Sequence, residues 1–163
     1  MEPRVVVVMG SHSDWATLEN GVKVLDELGV PHEARVLSAH RTPEALRAYI
    51  QAAEGRGVEV IIAAAGGAAH LAGVCASLTW IPVLGVPMES AHLHGMDSLL
   101  STVQMPGGVP VGTLGIGKPG AINAALLATA ILARKYPEYR AALDQYRSKR
   151  RQELLDHPDP RSR

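Results

Sequence analysis

Three side chains able to do chemistry stand within four positions of one another: Ser38, His40 and Arg41, in the run V-L-S-A-H-R at residues 36–41. A hydroxyl and a guanidinium are fit to hold a phosphate, the guanidinium through paired charge-assisted hydrogen bonds. The imidazole between them is fit to move a proton, because its unperturbed pKa lies near neutrality. The blander reading of His40 is a loop histidine bonded to backbone; its place between Ser38 and Arg41 favours acid–base chemistry. Two further runs carry related potential. Residues 10–15, G-S-H-S-D-W, make a short polar turn, and residues 64–73, A-A-G-G-A-A-H-L-A-G, set small residues ahead of His70. Small residues at a strand end let a ligand approach backbone N–H groups, and the unpaired N–H groups that open a helix favour an anion. Ordinary roles compete in both runs: Ser13 and Asp14 are preferred helix caps, and Ala and Gly also serve close helix–sheet packing. His92 and His94 would share a face of an extended chain, but two imidazoles without a third ligand make a poor zinc site.

These runs need a scaffold that brings them together. Val5–Met9 is an apolar, largely β-branched run closed by Gly10, as in a parallel strand covered on both faces. Leu18, Val22, Leu25 and Leu28 follow at helical spacing, with Gly29 as a stop. Residues 31–37 read as a more polar strand at a sheet edge. Thr42, Pro43 and Glu44 start a helix whose buried face is Leu46, Tyr49 and Ile50. Further strands are expected at 58–64, 82–86 and 109–116. Helices are expected from near Ala69, with His70 in the first turn, from a cap at 95–98 into Leu99, Leu100 and Val103, over 121–133 and over 136–155. The 117–120 stretch reads as a loop able to cover a ligand, and 156–163 as a tail. The 121–133 helix is apolar nearly all round, which predicts burial between subunits.

Strands alternating with helices at this spacing predict an α/β protein: a three-layer α/β/α, flavodoxin-like fold with a five-stranded parallel sheet in the order 2-1-3-4-5. In that order the first and third strands are neighbours. Ligands bind outside the carboxyl ends of such strands, so the runs at 10–15, 38–43 and 64–73 converge on one crevice.

With 163 residues the chain fits one domain, spanning 1–163 with a C-terminal helix and tail from about 136. Sixteen Lys and Arg balance 16 Asp and Glu for a formal net charge of +0, so bulk charge draws the protein neither to nucleic acid nor to a membrane surface. Cys75, the only cysteine, cannot form an internal disulfide, which fits a reducing cytoplasm. The first residues lack the pattern of a signal peptide, and no apolar run reaches the roughly 18 to 20 residues needed to cross a bilayer.

Four segments carry a resemblance to a known family: G-S-H-S-D-W at 10–15, S-A-H-R-T-P at 38–43, A-G-G-A-A-H-L at 65–71 and D-S-L-L-S-T-V-Q-M-P-G-G-V-P-V at 97–111. In this order they resemble the N5-carboxyaminoimidazole ribonucleotide mutases of de novo purine synthesis, a likeness that runs from about Val5 to Leu132. The resemblance implies an isomerase that interconverts the N5-carbamate and the C4-carboxylate of aminoimidazole ribonucleotide without metal, ATP or organic cofactor. It also implies a cytoplasmic homo-octamer. Position by position, Ser11 and Asp14 look like ligand residues of the first loop, with Asp14 on the ribose hydroxyls. Ser13, Ser38 and Arg41 would hold the 5′-phosphate, and His40 would be the general acid and base. Gly66, Gly67, Ala68 and Leu71 would lie along the imidazole and its carboxylate, with His70 near the transferred group. Ala72 departs from the family's pattern, where proline is expected. Two rival readings are direct carboxylation of aminoimidazole ribonucleotide by CO2, and a non-catalytic nucleotide-binding module of the same fold.

Overall fold

The computed structural model describes residues 2–161. Its strands are β1 (Val5–Met9), β2 (His32–Val36), β3 (Val60–Ala65), β4 (Val83–Pro87) and β5 (Gly112–Thr113). Its helices are α1 (Trp15–Glu27), α2 (Pro43–Gln51), α3 (Leu71–Ala76), α4 (Met96–Val103), α5 (Gly117–Leu132) and α6 (Pro137–Asp156). All pairings are parallel and the order is β2-β1-β3-β4-β5, the flavodoxin-like order expected from sequence.

The period-two alternation of the strands divides the core in two. Val5, Val7 and Met9 of β1 join Val60, Ile62 and Ala64 of β3 beneath α1, α5 and α6, while Val6, Val8, Ile61 and Ala63 face α2 and α3. Both faces of β1 are therefore buried, which is why it reads as an unbroken apolar run. β2 lies at the edge, and its polarity has a use: Glu33 accepts from the Tyr49 hydroxyl at 2.6 Å and pairs with Arg56 and Arg35. At the amino ends of the strands Glu59 gathers Arg4, Lys135 and the Tyr136 hydroxyl, tying the start of α6 to the sheet.

Three sequence expectations are corrected. β5 spans two residues rather than eight, because Gly107, Gly108 and Pro110 give its approach no propensity for pairing and Pro110 has no N–H for a ladder. Residues 117–120 are the first turn of α5 and not a covering loop. Pro119 is tolerated there because first-turn N–H groups are unpaired anyway, and a Cβ on Gly120 would stand 1.7 Å from the Gly115 carbonyl oxygen. α3 starts at Leu71, so His70 occupies the cap position rather than the first turn. Within the chain, one face of α5 is covered. Ala121, Ala124, Ala125, Ala128 and Leu132 are buried in the core that α1 and α6 share, while Leu127 stays exposed.

Candidate active site

The first loop leaves β1 at Gly10, whose N–H continues the ladder to the Ala64 carbonyl. Ser11 then caps the short turn His12–Asp14. Its hydroxyl accepts from the Ser13 N–H, and the Asp14 carboxylate accepts from the Ser11 N–H at 3.0 Å, a reciprocal capping box. Capping is thus part of what Ser11 and Asp14 do, whereas the Ser13 hydroxyl lies 2.9 Å from that of Ser11. Burial raises the Asp14 carboxyl above its ordinary value, against the Ser11 N–H and the Arg41 charge, which favour ionisation.

The second loop is wound around Ser38. The Ser38 N–H donates to the Thr42 hydroxyl at 2.9 Å, and the Ser38 hydroxyl oxygen accepts from the N–H groups of His40 and Arg41. Arg41 reaches across to the Gly10 carbonyl through Nη2, pinning the first two loops together.

The third loop follows β3. Gly67 takes φ +67°, the left-handed region that favours glycine. Behind it, hydroxyls of α4 bond its backbone: the Gly67 N–H donates to Ser98 Oγ at 2.9 Å and the Ala69 N–H to Ser101 Oγ at 3.0 Å. His70 stands at the end of this loop, with Nδ1 2.8 Å from Nε2 of His40.

The three loops enclose a cavity of about 480 Å³ at the carboxyl ends of β1, β2 and β3. Every residue expected from sequence to bind or react lines it except His70: Ser11, Ser13 and Asp14; Ser38, His40 and Arg41; Gly66, Gly67, Ala68 and Leu71. His70 reaches the site through His40. Sequence reasoning missed Met88 and Glu89, which complete the wall. Their position directly after β4, at the same sheet edge, was the available signal. Ala72 is buried in α3, in a second rank behind the cavity wall. Among the described residues no group of three or more His, Cys, Asp or Glu side chains is placed to hold a metal ion, His92 and His94 included. No helix of the described residues is long and apolar enough to cross a membrane.

Comparison with known proteins identifies what kind of chain builds this cavity. Residues 4–153 match the family model described as AIR carboxylase. The chain belongs to the AIR carboxylase family. Among its relatives is the N5-carboxyaminoimidazole ribonucleotide mutase of Pseudomonas aeruginosa, 60% identical over 161 residues that cover 99% of each chain. The protein of that name from Escherichia coli K12 is 55% identical over 158 residues, covering 97% of this chain and 94% of its own. The crystal structure of Treponema denticola PurE superposes with a TM-score of 0.87 at 25% identity, covering 99% of both chains. The resemblance carried by the four sequence segments therefore holds, and so does the fold it implied. The family match extends over most of α6, beyond the last segment that carried a recognisable motif.

Proposed function

We propose that this chain is a mutase that moves a carboxyl group from N5 to C4 of aminoimidazole ribonucleotide, in purine biosynthesis. The mutase name carried by relatives at 55–60% identity over nearly the whole chain supports this over direct carboxylation or simple nucleotide binding. The observation that carries the chemistry is a single imidazole, His40, set between a hydroxyl and a guanidinium and facing a wall of Gly and Ala.

In this reading Ser13, Ser38 and Arg41 hold the 5′-phosphate, Asp14 takes the ribose hydroxyls and the 66–68 stretch lies along the base. The C–N bond of the carbamate breaks, its electron pair stays on nitrogen, and His40 delivers a proton there. The freed CO2 stays against the small-residue loop. C4 then attacks it, forming the new C–C bond, and His40 removes the proton that C4 still carries, which restores the aromatic ring. One proton goes out and one returns, so a single base suffices. Such assistance is typically worth 10²- to 10⁴-fold. Holding CO2 beside the ring supplies proximity in place of a second encounter. No step calls on a metal, ATP or an organic cofactor, and full activity after exhaustive dialysis against a chelator is the expected result.

The same reading makes the protein a cytoplasmic homo-octamer. Support for association comes from α4: Met96, Leu100 and Val103, spaced four and three apart, are 51, 51 and 45% exposed on one side of the helix, and Leu93 in the preceding turn is 58% exposed. Trp80, 92% exposed, adds a large apolar surface elsewhere. Sedimentation at micromolar concentration tests this; a monomer would refute it.

The function is tested by assaying both nucleotides directly, with and without bicarbonate. Turnover of the N5-carboxylated nucleotide without added bicarbonate is expected. Turnover only of aminoimidazole ribonucleotide with bicarbonate would make the chain a carboxylase, and binding without turnover of either would leave a nucleotide-holding module.

A further inference from the structure

Helix α4 is inside out. Its apolar residues Met96, Leu100 and Val103 face outward, while Ser98 and Thr102 are 0% and 2% exposed. Burying hydroxyls in place of leucines is unfavourable unless each finds a hydrogen bond. Thr102 donates to the Ser98 carbonyl of its own helix at 2.7 Å, whereas Ser98 finds its partner on the loop that lines the cavity. Ser98 Oγ accepts from the Gly67 N–H. Ser101 Oγ accepts from the Ala69 N–H and lies 3.0 Å from the Gly67 carbonyl. The loop therefore has its alternate N–H groups tied down from behind. The intervening N–H groups, of Gly66 and Ala68, have no hydrogen-bond partner among the described residues, and both residues line the cavity. A Cβ on Gly66 would meet Met88 Cβ at 3.3 Å, so the loop packs closely on the residue after β4, with Ser98 Oγ in ordinary contact at 3.8 Å.

We propose that Ser98 and Ser101 are positioning residues. They hold the 66–69 backbone in the one conformation that leaves the Gly66 and Ala68 N–H groups for the carboxyl group in transit, and that sets His70 against His40. The proposal rests on the mutase reading above. It goes beyond it in assigning part of the rate to two side chains that do not line the cavity. Preorganised backbone donors act where charge develops, so a loosened loop weakens the transition state more than the ground state. The nucleotide's phosphate, on the other two loops, would still be held.

The test is steady-state kinetics of Ser98→Ala and Ser101→Ala, with Ser101→Thr as the conservative variant that keeps the hydroxyl. Expected is a fall in kcat on the order of tenfold, below the 10²- to 10³-fold typical of deleting an oxyanion donor itself, with KM changed by less than about threefold. Ser101→Thr should restore most of kcat. A lowered melting temperature with kcat per folded site unchanged would reduce the two hydroxyls to structural ties and overturn the proposal. So would a KM that rises in step with the loss of kcat/KM. Should the alanine variants not fold, amide hydrogen exchange in the unaltered protein decides. Gly67 and Ala69 should exchange slowly and Gly66 and Ala68 fast, the latter pair slowing when the carboxylated nucleotide binds; four equally fast amides would overturn the proposal. Absence of turnover in the unaltered enzyme would instead overturn the mutase reading, and the exchange pattern of the free protein does not depend on it.

Discussion

Nε2 of His40 and Nδ1 of His70 lie 2.8 Å apart, with the two rings edge to face and their centroids 4.9 Å apart. At that distance one nitrogen carries the hydrogen and the other offers its lone pair, because two N–H groups would collide. His70 therefore fixes which nitrogen of His40 is available on the far side of the ring. It is a positioning partner supplied by a different strand and a different loop.

Replacing His40 with Asn should leave nucleotide binding intact and lower turnover by at least about a hundredfold, the low end for a missing acid–base group. His70→Phe should also lower kcat. Because the two rings act as a unit, the double variant should be no worse than His40→Asn alone to within about threefold. Fully additive losses in direct assays would show that the two rings work independently.

Arg41→Ala should act on binding first. It removes the charge in reach of a phosphate and the tie to the Gly10 carbonyl that joins the first two loops. A charge-assisted hydrogen bond of about 1.5–3 kcal/mol corresponds to a KM or dissociation constant raised roughly ten- to a hundredfold. Titration calorimetry with the nucleotide checks this, and an unchanged affinity would contradict the phosphate assignment.

Glu59 predicts the response to acid. Burial alone would raise its carboxyl, but hydrogen bonds from Tyr136, Lys135 and Arg4 outweigh burial and hold it below its ordinary value of 4.5. A carboxyl depressed in the folded state adds stability above its unfolded pKa, and that stability is lost as pH falls through the folded value. Glu59→Gln should therefore cost about 1–2 kcal/mol at pH 7 and flatten the fall in stability below about pH 4.5, read by urea denaturation at each pH. Equal slopes would remove Glu59 from the acid response.

Gly21 sets the contact between α1 and α5. An Ala in an exposed helix interior is about 1 kcal/mol better than Gly, yet a Cβ here would stand 2.5 Å from the Ala121 carbonyl oxygen. Overpacking of this kind costs about 1–3 kcal/mol, so the net sign of Gly21→Ala is destabilising. A thermal scan showing a higher melting temperature would refute the close contact.

Cys75 is fully buried and its thiol is pushed up to about 12 by burial. At pH 8 it stays protonated and unreactive, so iodoacetamide should leave the folded protein unlabelled and modify Cys75 only after denaturation. Labelling of the native protein at a free thiol's rate would contradict its place in the core.

The central strands were legible because burial on both faces writes an unbroken apolar run, as in Val5–Met9, and the three polar loops were legible because they follow such strands. Where tertiary contact overrides local pattern, the sequence misled. Residues 109–116 look like a strand, but prolines and glycines around them leave a strand of only Gly112–Thr113. Ser98 looks like part of a helix cap, and it is instead a buried hydroxyl whose partner is 31 residues away. Its hydrogen bond is non-local, and no periodicity reports it. Met88 and Glu89 were passed over because neither is a motif; only their place after β4 marks them.

The Arg4, Glu59 and Tyr136 cluster sits where the strands begin, and the cavity sits where they end, about 16 Å away along a five-residue strand. The protein thus keeps its anchoring and its chemistry at opposite poles. A breeder of hardier variants can rework the first pole for tolerance to sourness or heat and leave the second untouched, with durability and throughput adjusted as separate dials.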